Sequence, residues 1–111
     1  MNTTELFPAA TEYFRVMERE DKASAIEVFE PNAVVVDDGH TYTGREQILG
    51  WLTGAASEFQ ITSTWLSAER TDTGAVAVIR ISGDFPGSPV DLRYEFAEGA
   101  GGLIGRLAIA A

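Results

Sequence analysis

Ala33-Val-Val-Val-Asp-Asp-Gly-His-Thr-Tyr-Thr-Gly-Arg-Glu-Gln-Ile-Leu-Gly-Trp-Leu52 carries four local signals in succession. Val34, Val35 and Val36 form a β-branched apolar run suited to a strand covered on both faces. Asp37 closes that strand, and Asp38-Gly39 is the pair that a two-residue hairpin turn prefers, because both residues tolerate positive φ. Thr43 with Glu46 three residues later spells a capping box, which predicts a helix from Gly44. The order is strand, carboxylate, tight turn, helix.

Upstream, the spacing predicts a helix from Glu5 to Arg19. Phe7, Ala10, Phe14 and Met17 share a stripe that Leu6, Tyr13 and Val16 widen, and Pro8 lies in or just past the first turn, where its missing donor costs little. A break at Glu20-Asp21 leads to a second helix with Asp21 as N-cap. Its buried side is Ala25, Ile26, Val28 and Phe29, and Pro31-Asn32 ends it. The third helix carries Ile48, Leu49, Trp51 and Leu52 and fades after Gly54.

From Gln60 the period changes from helical to two. Strands are expected over 60–70, 75–85, 90–96 and 103–110. The turns between them fall at Thr71–Gly74, Pro86–Pro89 and Gly99–Gly102. If the second turn pairs Phe85 with Val90, one face holds Ile79, Ile81, Phe85, Val90, Leu92, Tyr94 and Phe96. Arg80, Ser82, Asp84, Asp91, Arg93 and Glu95 then hold the other, with Arg80 opposite Glu95. The register around Thr71–Gly74, and so the face of Trp65, stays open. Helices followed by a meander with one apolar face read as α+β, a curved antiparallel sheet with helices on one side.

The chain has 111 residues, enough for one domain spanning 1–111. Eight Lys and Arg against 17 Asp and Glu leave a net charge of -9, so neither nucleic acid nor an anionic membrane surface is an expected partner. The absence of cysteine excludes disulfides, thiolate metal sites and a Cys nucleophile, and a single histidine excludes a multi-histidine metal centre. No metal or other cofactor is implied. No apolar run approaches the ~20 residues of a membrane span, and the N-terminus lacks a signal-peptide pattern, so a cytoplasmic protein is expected.

Several segments together resemble the nuclear transport factor 2-like superfamily, in its SnoaL-like and ketosteroid isomerase-like branch. They are Tyr13-Phe14, Glu20-Asp21, Phe29-Glu-Pro-Asn-Ala33 and Tyr42-Thr-Gly-Arg-Glu-Gln-Ile48, in that order and spacing. The resemblance covers essentially the whole chain. It implies a cone-shaped fold whose sheet wraps the N-terminal helices around an apolar pocket, often dimeric through the sheet. It does not fix an activity, since the superfamily includes isomerases, cyclases, hydrolases, dehydratases and proteins without catalysis.

In ketosteroid isomerases a carboxylate at the end of the first strand moves a proton next to a carbonyl. A helix tyrosine and a protonated carboxylic acid stabilise the oxyanion. Asp37 matches the base and Tyr13 the tyrosine; the third position falls at Leu92, with Asp91 one residue off and pointing away from the apolar face. Phe14, Val35, Trp51, Leu92, Tyr94 and His40 are the candidate ligand-binding residues.

Two readings compete at Asp37: a base raised in pKa at a pocket mouth, or a strand-end residue opposite His40 across the hairpin. Tyr13 is a pocket donor or a core tyrosine. The leading function is binding of a small hydrophobic carbonyl compound, with isomerase- or cyclase-like acid-base chemistry. The rival is a ligand-binding or dimerisation module of the same fold without chemistry. A third reading, epoxide hydrolase-like, would use Asp91 and Arg93, which alternation places on the polar face with Glu95.

Overall fold

A computed structural model describes residues 6–18, 21–54 and 61–111. The expected helix ends at Glu5 and Arg19, the break at Glu20 and the strand start at Gln60 lie outside the described residues. Helix α1 spans Pro8–Met17, with Pro8 in its first turn. Its buried side is Ala9, Ala10, Tyr13 and Val16, while Phe14 and Met17 are half-buried on the flank. The second helical segment is a 3₁₀ helix, Lys22–Val28. The Asp21 side chain does not cap it; the Asp21 carbonyl instead accepts from the Ser24 N–H at 3.3 Å and the Ser24 hydroxyl at 2.8 Å.

Pro31-Asn32 does not end a helix as expected. Both residues lie within strand β1, Phe29–Asp37. The ladder to its neighbour shifts register between Phe29 and Val34, and such an irregularity accommodates a residue with no N–H to donate. Strand β2, His40–Thr43, folds back on β1 with Val35 opposite Tyr42 and Asp37 opposite His40. The turn between them has φ of 52° at Asp38 and 78° at Gly39, the left-handed pair that this dipeptide favours. Helix α2, Gly44–Thr53, starts where expected. Its cap differs: the Thr43 side chain makes no capping bond, and Gln47 rather than Glu46 reaches back, its Oε1 accepting the Thr43 N–H at 2.8 Å.

Strands β3 (Ile61–Arg70), β4 (Gly74–Gly83), β5 (Val90–Glu98) and β6 (Ile104–Ala110) follow as an antiparallel meander. The full sheet runs β2-β1-β6-β5-β4-β3 and is mixed, because β6 pairs with β1 in parallel. The segment between those two strands includes α2 and four strands, ample for the long crossover that parallel neighbours need.

Val90 lies opposite Ile81, not Phe85, so the β4–β5 register differs from the expected one by four residues. Arg80 consequently faces Asp91 rather than Glu95. An even slip leaves each side chain on its own face, which is why the expected division of faces survives the error. Gly83 N–H donates to Ser88 Oγ at 2.9 Å across the longer loop. Trp65 lies opposite Ile79, on the face turned to the helices.

The core fills the space between helices and sheet. Phe7, Phe29, Ile48, Leu52, Ile104, Leu107 and Val35 are its largest fully buried side chains, each worth about 1.5–3 kcal/mol against exposure. Arg45 ties α2 to the start of β1, with Nε and Nη2 donating to the Phe29 carbonyl at 3.1 and 2.6 Å. Among the described residues, no helix is long and apolar enough to cross a membrane.

Candidate functional site

Beyond the packed core, α1, the end of β1, α2 and the inner face of β3–β6 leave a cavity of about 1230 Å³. Its apolar wall includes Phe14, Met17, Trp65, Ile79, Leu92 and Ile109. Asp37, Tyr13 and Tyr94 contribute polar groups, and Glu18, Lys22 and Asp38 also border it.

Asp37 is placed by local chemistry. The valine run carries β1 to its last residue, and the tight turn that follows leaves the Asp37 side chain half-buried at the cavity. Trp51 on α2, only 2% exposed, donates its indole N–H to Asp37 Oδ2 at 2.9 Å. The Trp51 ring in turn lies against Tyr42 of β2, centroids 6.1 Å apart. One carboxylate oxygen is therefore anchored by a nearly sealed donor. A hydrogen bond to a charged acceptor is among the stronger kinds.

Tyr13 is 3% exposed and borders the cavity from α1, its ring edge-on to Phe14 at 5.2 Å and to Phe29 at 5.9 Å. Burial pushes its phenol well above the ordinary value, and the nearby Tyr94 and Asp37 push it the same way. Tyr94 rises to about 12, first through burial and then through the charge of Asp37. Both phenols are neutral donors at physiological pH, within electrostatic reach of one carboxylate.

Of the residues singled out from sequence, Asp37, Tyr13, Phe14, Trp51, Leu92 and Tyr94 all border the cavity. Val35 and His40 do not. Val35 is fully buried in the core beneath the helices, and His40, though opposite Asp37, is exposed on β2. Met17, Trp65, Ile79 and Ile109 were missing from that set. Periodicity marked Met17 and Ile79 as apolar-face residues, but Trp65 needed the β3–β4 register and Ile109 the β6 pairing.

Asp91 is exposed on the opposite face, where Arg80 donates to it from Nε at 2.8 Å and Nη2 at 3.2 Å. Those bonds hold the Asp91 carboxyl below its ordinary value. Arg93 pairs with Glu95 at 3.4 Å, also on exposed side chains. Neither a third isomerase-type acid at Asp91 nor an Asp91-Arg93 epoxide site borders the cavity. Among the described residues, no three His, Cys, Asp or Glu side chains gather to hold a metal ion.

The family model described as a SnoaL-like domain matches residues 10–101. A solved structure from Sinorhizobium meliloti, provisionally described as a polyketide cyclase, is 32% identical over 99% of this chain and 100% of its own, with a TM-score of 0.89. A Mycobacterium tuberculosis protein in complex with estradiol-17beta-hemisuccinate shares the fold at 14% identity, TM-score 0.77, covering 93% of this chain and 90% of its own. The epoxide hydrolase/cyclase-like enzyme of pyran ring formation in the polyether salinomycin does so at 14% identity and TM-score 0.76, over 91% and 85%. No curated protein matches the sequence. With the family match spanning most of the chain and a relative aligned end to end, the chain belongs to the SnoaL-like family, within the nuclear transport factor 2-like superfamily.

Proposed function

We propose that the cavity binds a small hydrophobic molecule bearing a carbonyl group and performs isomerase- or cyclase-like acid-base chemistry on it. Asp37 serves as the base and Tyr13 as an oxyanion donor. The observation that carries this reading is that Asp37 and Tyr13 border one cavity, close enough for the carboxylate charge to raise the phenol. In the step, a proton on the carbon next to the carbonyl passes to Asp37. The C–H electron pair becomes the C=C bond of an enolate, and the carbonyl π pair moves onto oxygen, where the Tyr13 hydroxyl stabilises it. Where a C=C bond lies next to that carbon, returning the proton at its far end gives an isomer; attack of the enolate carbon on a second carbonyl gives a ring, the second carbonyl's π pair moving to its oxygen, which takes the proton from Asp37. Trp51 fixes one Asp37 oxygen and leaves the other to act.

The relatives support the ligand class. One carries a provisional cyclase description, one holds a steroid ester and one is cyclase-like. The proposed assembly is a homodimer through the outer sheet face, where half-buried Val76 and Val78 lie beside exposed Arg80 in the mixed pattern of non-obligate interfaces.

The rival reading is a binding module without turnover. It draws on the tight packing of Phe14 against Trp65 and Tyr94, at 4.8 and 5.1 Å, which takes up cavity space with protein. Two substitutions separate the readings. Asp37→Asn keeps the shape and should abolish proton transfer while ligand affinity stays nearly intact. Tyr13→Phe should slow it on the order of 10²–10³-fold. Proton exchange into a bound ketone that is unchanged in Asp37→Asn would defeat the proposal.

A further inference from the structure

The register of the sheet brings a second phenol into the row of Asp37. Asp37 lies opposite Ile109 across the parallel β1–β6 ladder, and Ile109 lies opposite Tyr94 across β5–β6. The three form one row, and all border the cavity. Strands in a sheet are ~4.8 Å apart, so Asp37 and Tyr94 stand roughly 10 Å apart at the backbone with Ile109 as the floor between them. A tyrosine and an aspartate can both lean over such a gap toward a ligand atom above the isoleucine. Leu92, two residues along β5, belongs to a different row with Ile79 and Trp65 and has no polar group.

Tyr13 reaches the same region from α1. Both phenol rings pack on the same two neighbours. Phe14 lies 5.2 Å from Tyr13 and 5.1 Å from Tyr94, and Phe96 lies 6.0 Å and 6.4 Å from them. The two rings, one on a helix and one on a strand, thus share two packing partners and border one cavity.

We infer that Tyr94 is a second oxyanion donor, so that the ligand carbonyl oxygen is held between the hydroxyls of Tyr13 and Tyr94 while Asp37 faces the adjacent carbon. The inference rests on the carbonyl-ligand reading above and names a further catalytic residue for it. Both phenols keep their protons at physiological pH, as a pair of donors to one oxygen requires. Two donors replace the tyrosine and carboxylic acid of the isomerase pattern with a uniformly neutral pair. That arrangement suits an oxygen that becomes negative only as the proton leaves its neighbouring carbon.

The test uses the full chain and an enolisable aryl ketone, 2-acetylnaphthalene with a ¹³C-labelled carbonyl, as probe. Infrared difference spectra report the hydrogen bonds to the bound carbonyl. Proton magnetic resonance in deuterated buffer separately reports exchange of the methyl protons. In the unsubstituted protein the carbonyl band should move to lower frequency. Tyr13→Phe and Tyr94→Phe should each remove part of that shift and weaken binding roughly 2- to 12-fold, and the double variant should remove the whole shift. Tyr94→Phe keeps the ring that Phe14 and Phe96 pack on, and circular dichroism should confirm its native fold. A carbonyl band identical in Tyr94→Phe and the unsubstituted protein overturns the inference, even if Asp37-dependent exchange is observed and the proposed function stands. A band that responds to both tyrosines without any exchange sustains the donor pair and removes the proton-transfer reading. Failure of the ketone to bind overturns both.

Discussion

Alkaline pH should loosen this fold through its cavity tyrosines, and Tyr94 gives the size of the effect. Its phenol is pushed from an ordinary 10.0 to about 12 by burial and by the charge of Asp37, and Tyr13 moves in the same direction. Below pH 10 the folded and unfolded chains both keep these protons, so these groups make stability independent of pH. Between pH 10 and about 12 the unfolded chain gives up a proton that the folded chain retains, and the free energy of unfolding falls as pH rises. Two pKa units at Tyr94 correspond to a loss of about 2–3 kcal/mol, a large share of the roughly 5–15 kcal/mol that holds a typical domain together.

Urea unfolding across this range measures it. The unsubstituted protein should lose stability steeply above pH 10, while Tyr94→Phe, with no proton to release there, should lose less. Relative to the unsubstituted chain, the variant should gain about 2 kcal/mol between pH 10 and pH 12. Parallel pH profiles for the two proteins would refute the reasoning. So would near-ultraviolet phenolate absorbance showing the Tyr94 hydroxyl ionised in the folded protein near pH 10.

Two further outcomes are expected. Gly74→Ala would drive a methyl group into the Phe96 carbonyl, with the Ala97 Cα 3.0 Å away, so β4 and β5 must part. A loss of about 1–3 kcal/mol in chemical denaturation is expected, and an unchanged midpoint would contradict this packing. Sedimentation at tens of micromolar protein should give twice the 12.0 kDa chain mass; a monomer mass would reject the dimer through the outer face.

The local elements were legible in the sequence wherever a few neighbouring residues suffice to determine them. Asp38-Gly39 makes a tight turn because those two residues bear positive φ cheaply, whatever packs around them. Pro8 opens α1 for an equally local reason. Pro31 predicts the end of a helix over Phe29–Asn32, because proline interrupts one. Pairing with β6 instead draws this segment into a strand, an interaction with residues more than seventy positions away.

At the site, the sequence alone determined which side chains share a face. Alternation on a strand has period two, so Leu92, Tyr94 and Phe96 turn inward and Asp91 turns away even though the β4–β5 register is four residues from the expected one. Tertiary structure decided which of those residues meet. The bond from Trp51 to Asp37 depends on the angle at which α2 lies across β1, and no residue spacing encodes that angle. The row Asp37, Ile109, Tyr94 exists only because β6 inserts in parallel beside β1. Turn chemistry and alternation act between near neighbours and can be read in order along the chain. Register and helix docking are set by long-range burial, where many arrangements share one pattern and only the packed whole selects among them.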